Sequence, residues 1–302
     1  MDNFELMAGI TNTSNTVADK LDDLITSKSD MKSAIIRKGV TPTGGLSTYA
    51  DAIRDITVSG SSIIIPDGAR FCNSHFTTIP SLVVEYANGR NDINVLFRYC
   101  SDLVSFPRID TSNMTIANGM FEGCESLTTV DYFDTSRVTS MAYMFKSCYS
   151  LQTIPRLNTI VVNNMSYMFW GCGSLQTIPQ LNTSSVTKMI GMFSDCVSLT
   201  DLPLLDFGSL REYDSIFNWC YQLTNIGGFK NFGEYKGADD DLALYSSPMI
   251  TRQSMLNIFN NLYDRAVKGY STCRITLHTD VMNRLTDNDI MIATNKGFII
   301  AA

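Results

Sequence analysis

The feature that most constrains this chain is a Phe-x-x-Cys motif that recurs every 24 residues. Six copies keep this period without a slip: Phe97/Cys100, Phe121/Cys124, Phe145/Cys148, Phe169/Cys172, Phe193/Cys196 and Phe217/Cys220. A strict period of this length is typical of repeat proteins, in which each repeat forms one coil and equivalent residues stack above one another. Because such stacks usually hold partners on an extended surface, the period favours recognition over chemistry in a cleft.

The regular unit predicts the path of one coil. A short apolar strand follows the Cys and ends at Pro, as in residues 174–181, because Pro cannot donate to a strand ladder. Asn182, Thr183 and Ser184 are typical of a turn and a helix N-cap. Apolar residues at three- and four-residue intervals then predict one face of a short helix; in one repeat they are Val138, Met141, Met144, Phe145 and Cys148.

The expected fold class is therefore an α/β repeat, a leucine-rich-repeat-type solenoid of 24-residue strand–turn–helix coils. The solenoid spans residues 59–229. Residues 1–58 are expected to form a helical N-terminal region that packs against copies of itself or a neighbour, because their apolar residues follow rough helical spacing but cannot make a core alone. Residues 230–302 form an α/β C-terminal cap. Its predicted elements are a helix capped by Thr251, a strand at 274–278, a helix at 286–295 with Asp289 in a capping box, and a strand at 298–300.

The periodic side chains predict a buried core. The six repeat cysteines share one phase and include no Cys-x-x-Cys motif, which favours buried thiols over disulfides or structural zinc. The periodic methionines fit the same core, with an adaptable binding groove as the alternative. Four aromatic residues lie between the ladder positions, and they either mark a binding face or pack between coils: Tyr99, Tyr149, Trp170 and Trp219.

Composition excludes several classes of function. A net charge of −7 without a basic stripe argues against nucleic-acid binding. No stretch approaches the roughly 20 apolar residues of a membrane span, so none is expected. The first 30 residues lack the basic start and apolar run of a secretory signal peptide, so secretion by that route is not expected.

The residues show no pattern for catalysis. His75 and His278 are far apart and have no nearby nucleophile or acid of a hydrolase. The run 239–241 of aspartates favours a solvated turn over a calcium loop, and Asp287 with Asp289 has no spacing that indicates acid/base work. We therefore expect no enzyme activity, no cofactor and no metal site. Because some solenoids are enzymes, a polysaccharide-degrading enzyme stays an alternative.

The repeat unit, best seen at residues 168–189, resembles the BspA-like leucine-rich repeats of bacterial surface proteins and phages over roughly residues 70–229. Residues 251–298 resemble a segment that closes such arrays in phage tail and prophage proteins. Residues 28–53 are similar to a short helical motif of phage tail and baseplate proteins. Together these resemblances imply a structural virion protein of a bacteriophage tail, of fibre or baseplate type.

The resemblance implies a set of partners. Residues 1–58 would bind other virion proteins and join copies into a homo-oligomer, while the solenoid faces outward for host attachment to a surface glycan or protein. The protein would be made in the bacterial cytoplasm and end in the virion, where it needs neither signal peptide nor lipid anchor because lysis releases it. The alternatives are a capsid or tail decoration or spacer that binds no receptor, and a bacterial adhesin.

The predicted binding surface is the side of the coils formed by the strands. Its small polar residues suit hydrogen bonds to a glycan or a protein, and plain solvent exposure is the alternative. The predicted ligand-binding residues are Thr129, Gln152, Thr153, Gln176, Thr177 and Asp201, with Thr128, Thr200, Thr224 and Asn225 beside them.

Overall fold

The computed structural model describes residues 95–106, 111–235 and 241–302, together with the backbone of three strands at 57–59, 62–65 and 83–86. The predicted helical region lies outside the described residues, except for the strand at its end. The described strands are β1 (Thr57–Ser59), β2 (Ser62–Ile65), β3 (Val83–Tyr86), β4 (Ser105–Phe106), β5 (Thr129–Val130), β6 (Asp201–Leu202), β7 (Leu205–Asp206), β8 (Asn225–Ile226), β9 (Phe229–Lys230), β10 (Leu242–Leu244), β11 (Cys273–Leu277) and β12 (Phe298–Ala301). The described helices are α1 (Arg252–Asn261), α2 (Arg265–Lys268), α3 (Thr279–Met282) and α4 (Asp287–Thr294).

Strand pairing follows the 24-residue period. β4 pairs with β5, β6 with β8 and β7 with β9, each in parallel and each joining residues 24 positions apart. Single bridges continue the same offset along a second line, through Ile116, Ser140, Asn164, Lys188 and Glu212. Successive repeats therefore lie side by side as parallel coils. Earlier in the chain, β2 pairs antiparallel with β1 and parallel with β3.

The core of the coils is a column of phenylalanines. The six periodic rings are at most 3% exposed, and neighbouring ring centroids lie 5.5–5.9 Å apart with planes within 11° of parallel. Columns of Leu, Met and Cys flank the rings and are also buried. The prediction that these periodic residues form the core is confirmed, and the methionines belong to it.

The predicted helix in each coil is wrong. Residues 141–148 form consecutive turns, in which alternate amide groups donate to the following coil: Met141 to Asn164, Tyr143 to Ser166, Phe145 to Met168 and Ser147 to Trp170. The amides of Met144, Lys146 and Cys148 instead donate three residues back. An α-helix needs every amide to donate four residues back, so this backbone cannot be helical. Apolar residues at intervals of three and four face the core in an α-helix and in the observed turns alike, so the spacing does not distinguish the two.

Left-handed backbone angles mark these turns. Tyr143 and Ser147 have φ of 61° and 59°, and residues at the same two phases in other coils also have positive φ. They include glycines 119, 123, 171 and 191. Two left-handed residues per coil reverse the chain direction locally, which allows the alternate amides to point toward the next coil.

The predicted N-cap residues also have another role. Thr135, Thr159 and Thr183 are only 1% exposed, and no helix begins after them. The hydroxyl of Thr135 donates to the carbonyl of Asn158 at 2.9 Å and accepts from its amide at 2.8 Å. The other two threonines bond the next coil in the same way. These hydroxyls therefore pair backbone groups of adjacent coils at the corner where the strand ends.

The four predicted C-terminal elements occur as α1, β11, α4 and β12, whereas β10, α2 and α3 were not predicted. α1 begins after Thr251, whose hydroxyl accepts from the Ser254 amide, and α4 has the capping box of Thr286 and Asp289. β10, β11 and β12 form a parallel sheet in that order.

Helix α1 lies where a further coil would otherwise stack. The Thr251 amide donates to the Thr224 carbonyl at 3.1 Å, and the Ser254 hydroxyl accepts from the Ile226 amide at 2.9 Å. The Asn257 side chain donates to the Ile226 carbonyl at 3.0 Å. These bonds satisfy backbone groups at the edge of the last coil, which would otherwise be open to pairing with another chain.

Candidate functional site

The predicted ligand-binding residues lie on one side of the coils, which we call the strand face. Thr129, Gln152, Thr153, Gln176 and Thr177 are exposed, and Asp201 is half-buried. Parallel pairing aligns residues of successive coils: Thr177 is opposite Asp201, and Asp201 is opposite Asn225. The structure therefore brings these residues together along the stack, at a spacing of about 4.8 Å per coil.

Hydrogen bonds within the strand face differ along its length. At one end, Asp201 accepts from the Thr200 hydroxyl at 2.6 Å and from the Asn225 amide group at 2.7 Å. Among the described residues, no side-chain hydrogen bond holds Gln152 or Gln176. The middle coils therefore present side-chain amide groups that are available to a partner. At the Asp201 end, some of the polar side chains are already hydrogen-bonded to one another.

A second surface, which we call the turn edge, carries the exposed aromatic residues. Tyr99, Tyr149 and Trp219 are 44–50% exposed, and Trp170 is half-buried. The tyrosine rings also pack on neighbouring coils, where glycine leaves room: a Cβ on Gly171 would lie 3.4 Å from the ring of Tyr149. Exposure and packing between coils are thus both present in these side chains.

A buried acid interrupts the turn edge. The Glu122 side chain is 6% exposed and lies 2.9 Å from Arg98 and 3.6 Å from Lys146. The Lys146 ammonium is also 5.5 Å from the ring centre of Tyr143 and 5.3 Å from that of Trp170. Because two cations from adjacent coils compensate the carboxylate, this cluster joins three coils.

A third surface is an open polar cleft of about 540 Å³, which we call the polar cleft. It lies between the corner after β7 and the chain after β9, with Tyr270 from the C-terminal part. Its lining residues are Ser184, Asp206, Gly208, Ser209, Arg211, Asn231, Glu234, Tyr235 and Tyr270. The sequence did not predict this cleft, because only Ser184, Asp206, Gly208, Ser209 and Arg211 lie within the periodic repeats.

Contacts within the polar cleft set its shape. Asp206 accepts from the Gly208 amide at 3.0 Å, lies 3.4 Å from the side-chain nitrogen of Asn231, and forms an ion pair with Lys230 at 3.1 Å. The Arg211 guanidinium lies over the Tyr235 ring, 3.9 Å from its centre. Of the predicted turn residues Asn182, Thr183 and Ser184, only Ser184 lines this cleft.

Residues considered for chemistry have structural roles where the structure describes them. The His278 side chain accepts from the Asp280 amide and caps α3, and Asp289 pairs with Arg252 at 2.6 Å. His75 and Asp239 lie outside the described residues. In the described ranges, no three His, Cys, Asp or Glu side chains are grouped so as to hold a metal ion.

The prediction of buried thiols is confirmed for the six repeat cysteines. Cys273 is also buried, and none of these seven described cysteines forms a disulfide. In the repeats, each thiol from Cys124 onward donates to the carbonyl of the Phe 27 residues earlier, at 3.1–3.2 Å. Burial raises the pKa of the Cys220 thiol to about 12 and that of Cys273 to about 11. These thiols stay protonated at neutral pH and are therefore poor nucleophiles.

Comparison with known proteins adds two likenesses. The family described as "Mycoplasma protein of unknown function, DUF285" matches residues 91–204, which is less than half of the chain. No curated protein matches. Among solved structures, the chain is similar to a leucine-rich-repeat protein of T. pallidum (TpLRR), with 17% identity, 82% of this chain and 95% of that chain covered, and a TM-score of 0.36. Within the part that the structure describes, no helix is long and apolar enough to cross a membrane.

Proposed function

We propose that this chain is a non-catalytic recognition protein of a bacteriophage tail, of fibre or baseplate type. In this proposal the stacked coils are a leucine-rich-repeat solenoid that binds a protein or a host-surface glycan through the strand face. The observation that carries the proposal is the row of exposed polar side chains in the middle coils, where backbone hydrogen bonds join Gln152 to the preceding coil and Gln176 to the following coil.

A partner would find this row already ordered. The backbone amide of Gln152 donates to the Thr128 carbonyl at 3.0 Å. The backbone carbonyl of Gln176 accepts from the backbone amides of Thr200 and Asp201 at 2.9 and 3.3 Å. Because these hydrogen bonds already order the backbone, binding does not carry the further cost of ordering it. An array of amides and hydroxyls on such a backbone suits a partner that offers many hydrogen-bonding groups.

The strand face is tested by the double change Gln152→Ala with Gln176→Ala. We expect fewer phage particles carrying this variant to adsorb to host cells, because the two side chains that are available for hydrogen bonds are lost. Gln222→Ala is the matched control, since Gln222 is exposed but not among the strand-face residues. Equal adsorption of the double variant, the control and the unchanged particles would refute recognition through this face.

The placement in a virion is supported by the resemblance of residues 28–53 and 251–298 to segments of phage tail proteins. Residues 1–58 would attach the protein to other virion proteins and to its own copies. Mass spectrometry of density-purified phage particles tests this part, with the chain quantified against the major capsid protein. A fixed stoichiometric ratio supports a virion component, and absence from clean particles refutes it.

A second candidate is a spacer or decoration that stays in the virion but binds no receptor. The hydrogen bonds among Thr200, Asp201 and Asn225 favour it, because these groups already satisfy one another without a partner. The spacer predicts unchanged adsorption of the strand-face variant and loss of the protein from particles after deletion of residues 1–58.

The non-catalytic part of the proposal has its own assay. The purified chain is incubated with host-surface glycan, and new reducing ends are measured. We expect none above those of a boiled sample. Release of reducing ends would instead support the polysaccharide-degrading enzyme.

A further inference from the structure

The polar cleft combines features of a small-molecule site and shares no lining residue with the strand face. Its volume of about 540 Å³ lies within the range of about 300–1,000 Å³ that is usual for ligand sites. It has two aromatic rings, from Tyr235 and Tyr270, among polar groups from three separate parts of the chain. An inference about it therefore stands independently of the function proposed above.

A buried arginine holds the cleft in shape. Arg265 is fully buried, and its guanidinium donates to the carbonyls of Gly233 at 2.6 Å, Tyr235 at 3.1 Å and Ser271 at 2.7 Å. These carbonyls belong to the two segments that carry Tyr235 and Tyr270. Since these bonds tie both segments to one side chain, the two rings are positioned before any ligand arrives.

The charges of the cleft balance one another. Asp206 is paired with Lys230 at 3.1 Å, and the Arg211 guanidinium lies over one face of the Tyr235 ring, 3.9 Å from its centre. A Cβ on Gly208 would lie 2.6 Å from a carboxylate oxygen of Glu234 and 3.3 Å from one of Asp206, so both carboxylates border the same space. Two acids with two bases give no strong preference for an anion or a cation, and they offer both hydrogen-bond acceptors and donors.

We infer that the polar cleft binds a neutral saccharide, with the ring of Tyr270 and the face of the Tyr235 ring that is turned away from Arg211 against the C–H faces of the sugar. Asp206, Glu234 and Asn231 exchange hydrogen bonds with its hydroxyl groups. Hydroxyl groups act as both donors and acceptors, so they match a mixed border of carboxylates and an amide. The volume suits one or two sugar rings, which makes a disaccharide the smallest informative probe.

The test measures saturation-transfer NMR between the full chain and three neutral disaccharides: maltose, cellobiose and N,N′-diacetylchitobiose. Inorganic phosphate is the charged probe, followed by competition. We expect at least one disaccharide to bind and phosphate not to displace it. Failure of all three to bind, or displacement by phosphate, would overturn the inference.

Variants locate the binding. Tyr235→Ala combined with Tyr270→Ala should weaken saccharide binding about tenfold, because two stacking contacts are lost. Glu234→Gln is nearly isosteric and lies at an exposed position, so we expect it to keep the fold. It replaces one carboxylate of the cleft by an amide and should weaken saccharide binding several-fold. Tyr221→Ala removes an exposed tyrosine outside the cleft and should have no effect. Equal affinity of Glu234→Gln and the unchanged protein, with thermal melting confirming the fold of each, would contradict the assignment.

The strand-face variant separates this inference from the proposed function. If Gln152→Ala with Gln176→Ala abolishes saccharide binding while the cleft variants do not, the saccharide site is the strand face and the cleft inference fails. If only the cleft variants lose binding, the cleft inference holds whatever the adsorption assay shows.

Discussion

Replacing Gly191 by Ala distinguishes the observed turns from the helix that apolar spacing predicts. Gly191 lies between Met189 and Met192 in the segment expected to be helical. In a helix interior, Ala is about 1 kcal/mol more stable than Gly. In the structure, Gly191 has φ of 55°, is buried, and donates its amide to the Asp214 carbonyl of the next coil at 2.9 Å. The two structures therefore predict opposite signs for the same change.

The change in the free energy of unfolding caused by Gly191→Ala follows from backbone strain and from contact of the added Cβ with Tyr167. A left-handed angle costs a non-glycine residue about 1–2 kcal/mol. A Cβ on Gly191 would also lie 2.8 Å from two ring carbons of Tyr167, so that ring has to shift. Ala also has less conformational freedom than Gly in the unfolded chain, which offsets this destabilisation by about 0.4–1 kcal/mol. We expect a net destabilisation of about 1 kcal/mol or more.

Urea unfolding, followed by the fluorescence of Trp170 and Trp219, measures this change. A loss of about 1 kcal/mol lowers the midpoint by roughly 0.3–0.5 M at an m-value of about 2–3 kcal/mol/M. Gly173→Ala is the matched control, because the nearest atom to its Cβ would be 3.7 Å away and its φ is not positive. The control should be neutral or slightly stabilising. A higher midpoint for Gly191→Ala than for the unchanged protein would refute the turn structure.

Three further predictions concern stability. Phe169→Ala should lower the free energy of unfolding by about 3–5 kcal/mol, because Phe169 is fully buried between rings 5.8 and 5.7 Å away; an unchanged melting temperature would contradict the stacked core. Hydrogen bonds from Arg252 and the Thr286 backbone hold the pKa of Asp289 below its usual range, so Asp289 contributes stability above about pH 4 that is lost as the pH falls. Asp289→Asn should accordingly lower the melting temperature at pH 7, and the difference from the unchanged protein should shrink in acid. A difference that stays constant with pH would contradict stabilisation by the Asp289 charge. Reductant should leave the melting temperature unchanged, and a thiol reagent should label Cys172 only after unfolding; fast labelling of the native protein would show an open core.

The columns of the core were predictable because each repeats one residue type at one phase. A side chain that recurs every 24 residues and touches its own copies in neighbouring coils leaves a direct trace in the sequence. The helices α1 and α4 were predictable for a different reason. Thr251 and the pair Thr286 and Asp289 cap them through local hydrogen bonds, which depend on residues only three positions apart.

The turns were not predicted because the deciding hydrogen bonds join different coils. Spacing alone places Met141, Met144, Phe145 and Cys148 toward the core in a helix and in the observed turns alike. The helix and the turns differ in the carbonyl groups to which the backbone amides donate. In the turns, half of these carbonyls belong to the neighbouring coil. One local signal was present: glycine occurs at two phases of the repeat, as at 119 and 191 and at 123 and 171, where φ is positive. Recurrent glycine at one phase of a repeat thus argues for left-handed turns against a helix.

The polar cleft forms where the period ends, which explains why no sequence pattern indicates it. In the middle of the stack, each exposed side chain has an equivalent 24 residues away, so any site there is a row. At the last coils, the corner at Asp206 meets residues that no longer repeat, and Arg265 joins them through backbone carbonyls that carry no sequence signature. A concave site with one copy of each group needs such a break in the repetition. The same chain therefore offers a row suited to an extended partner and a single cleft suited to a small one.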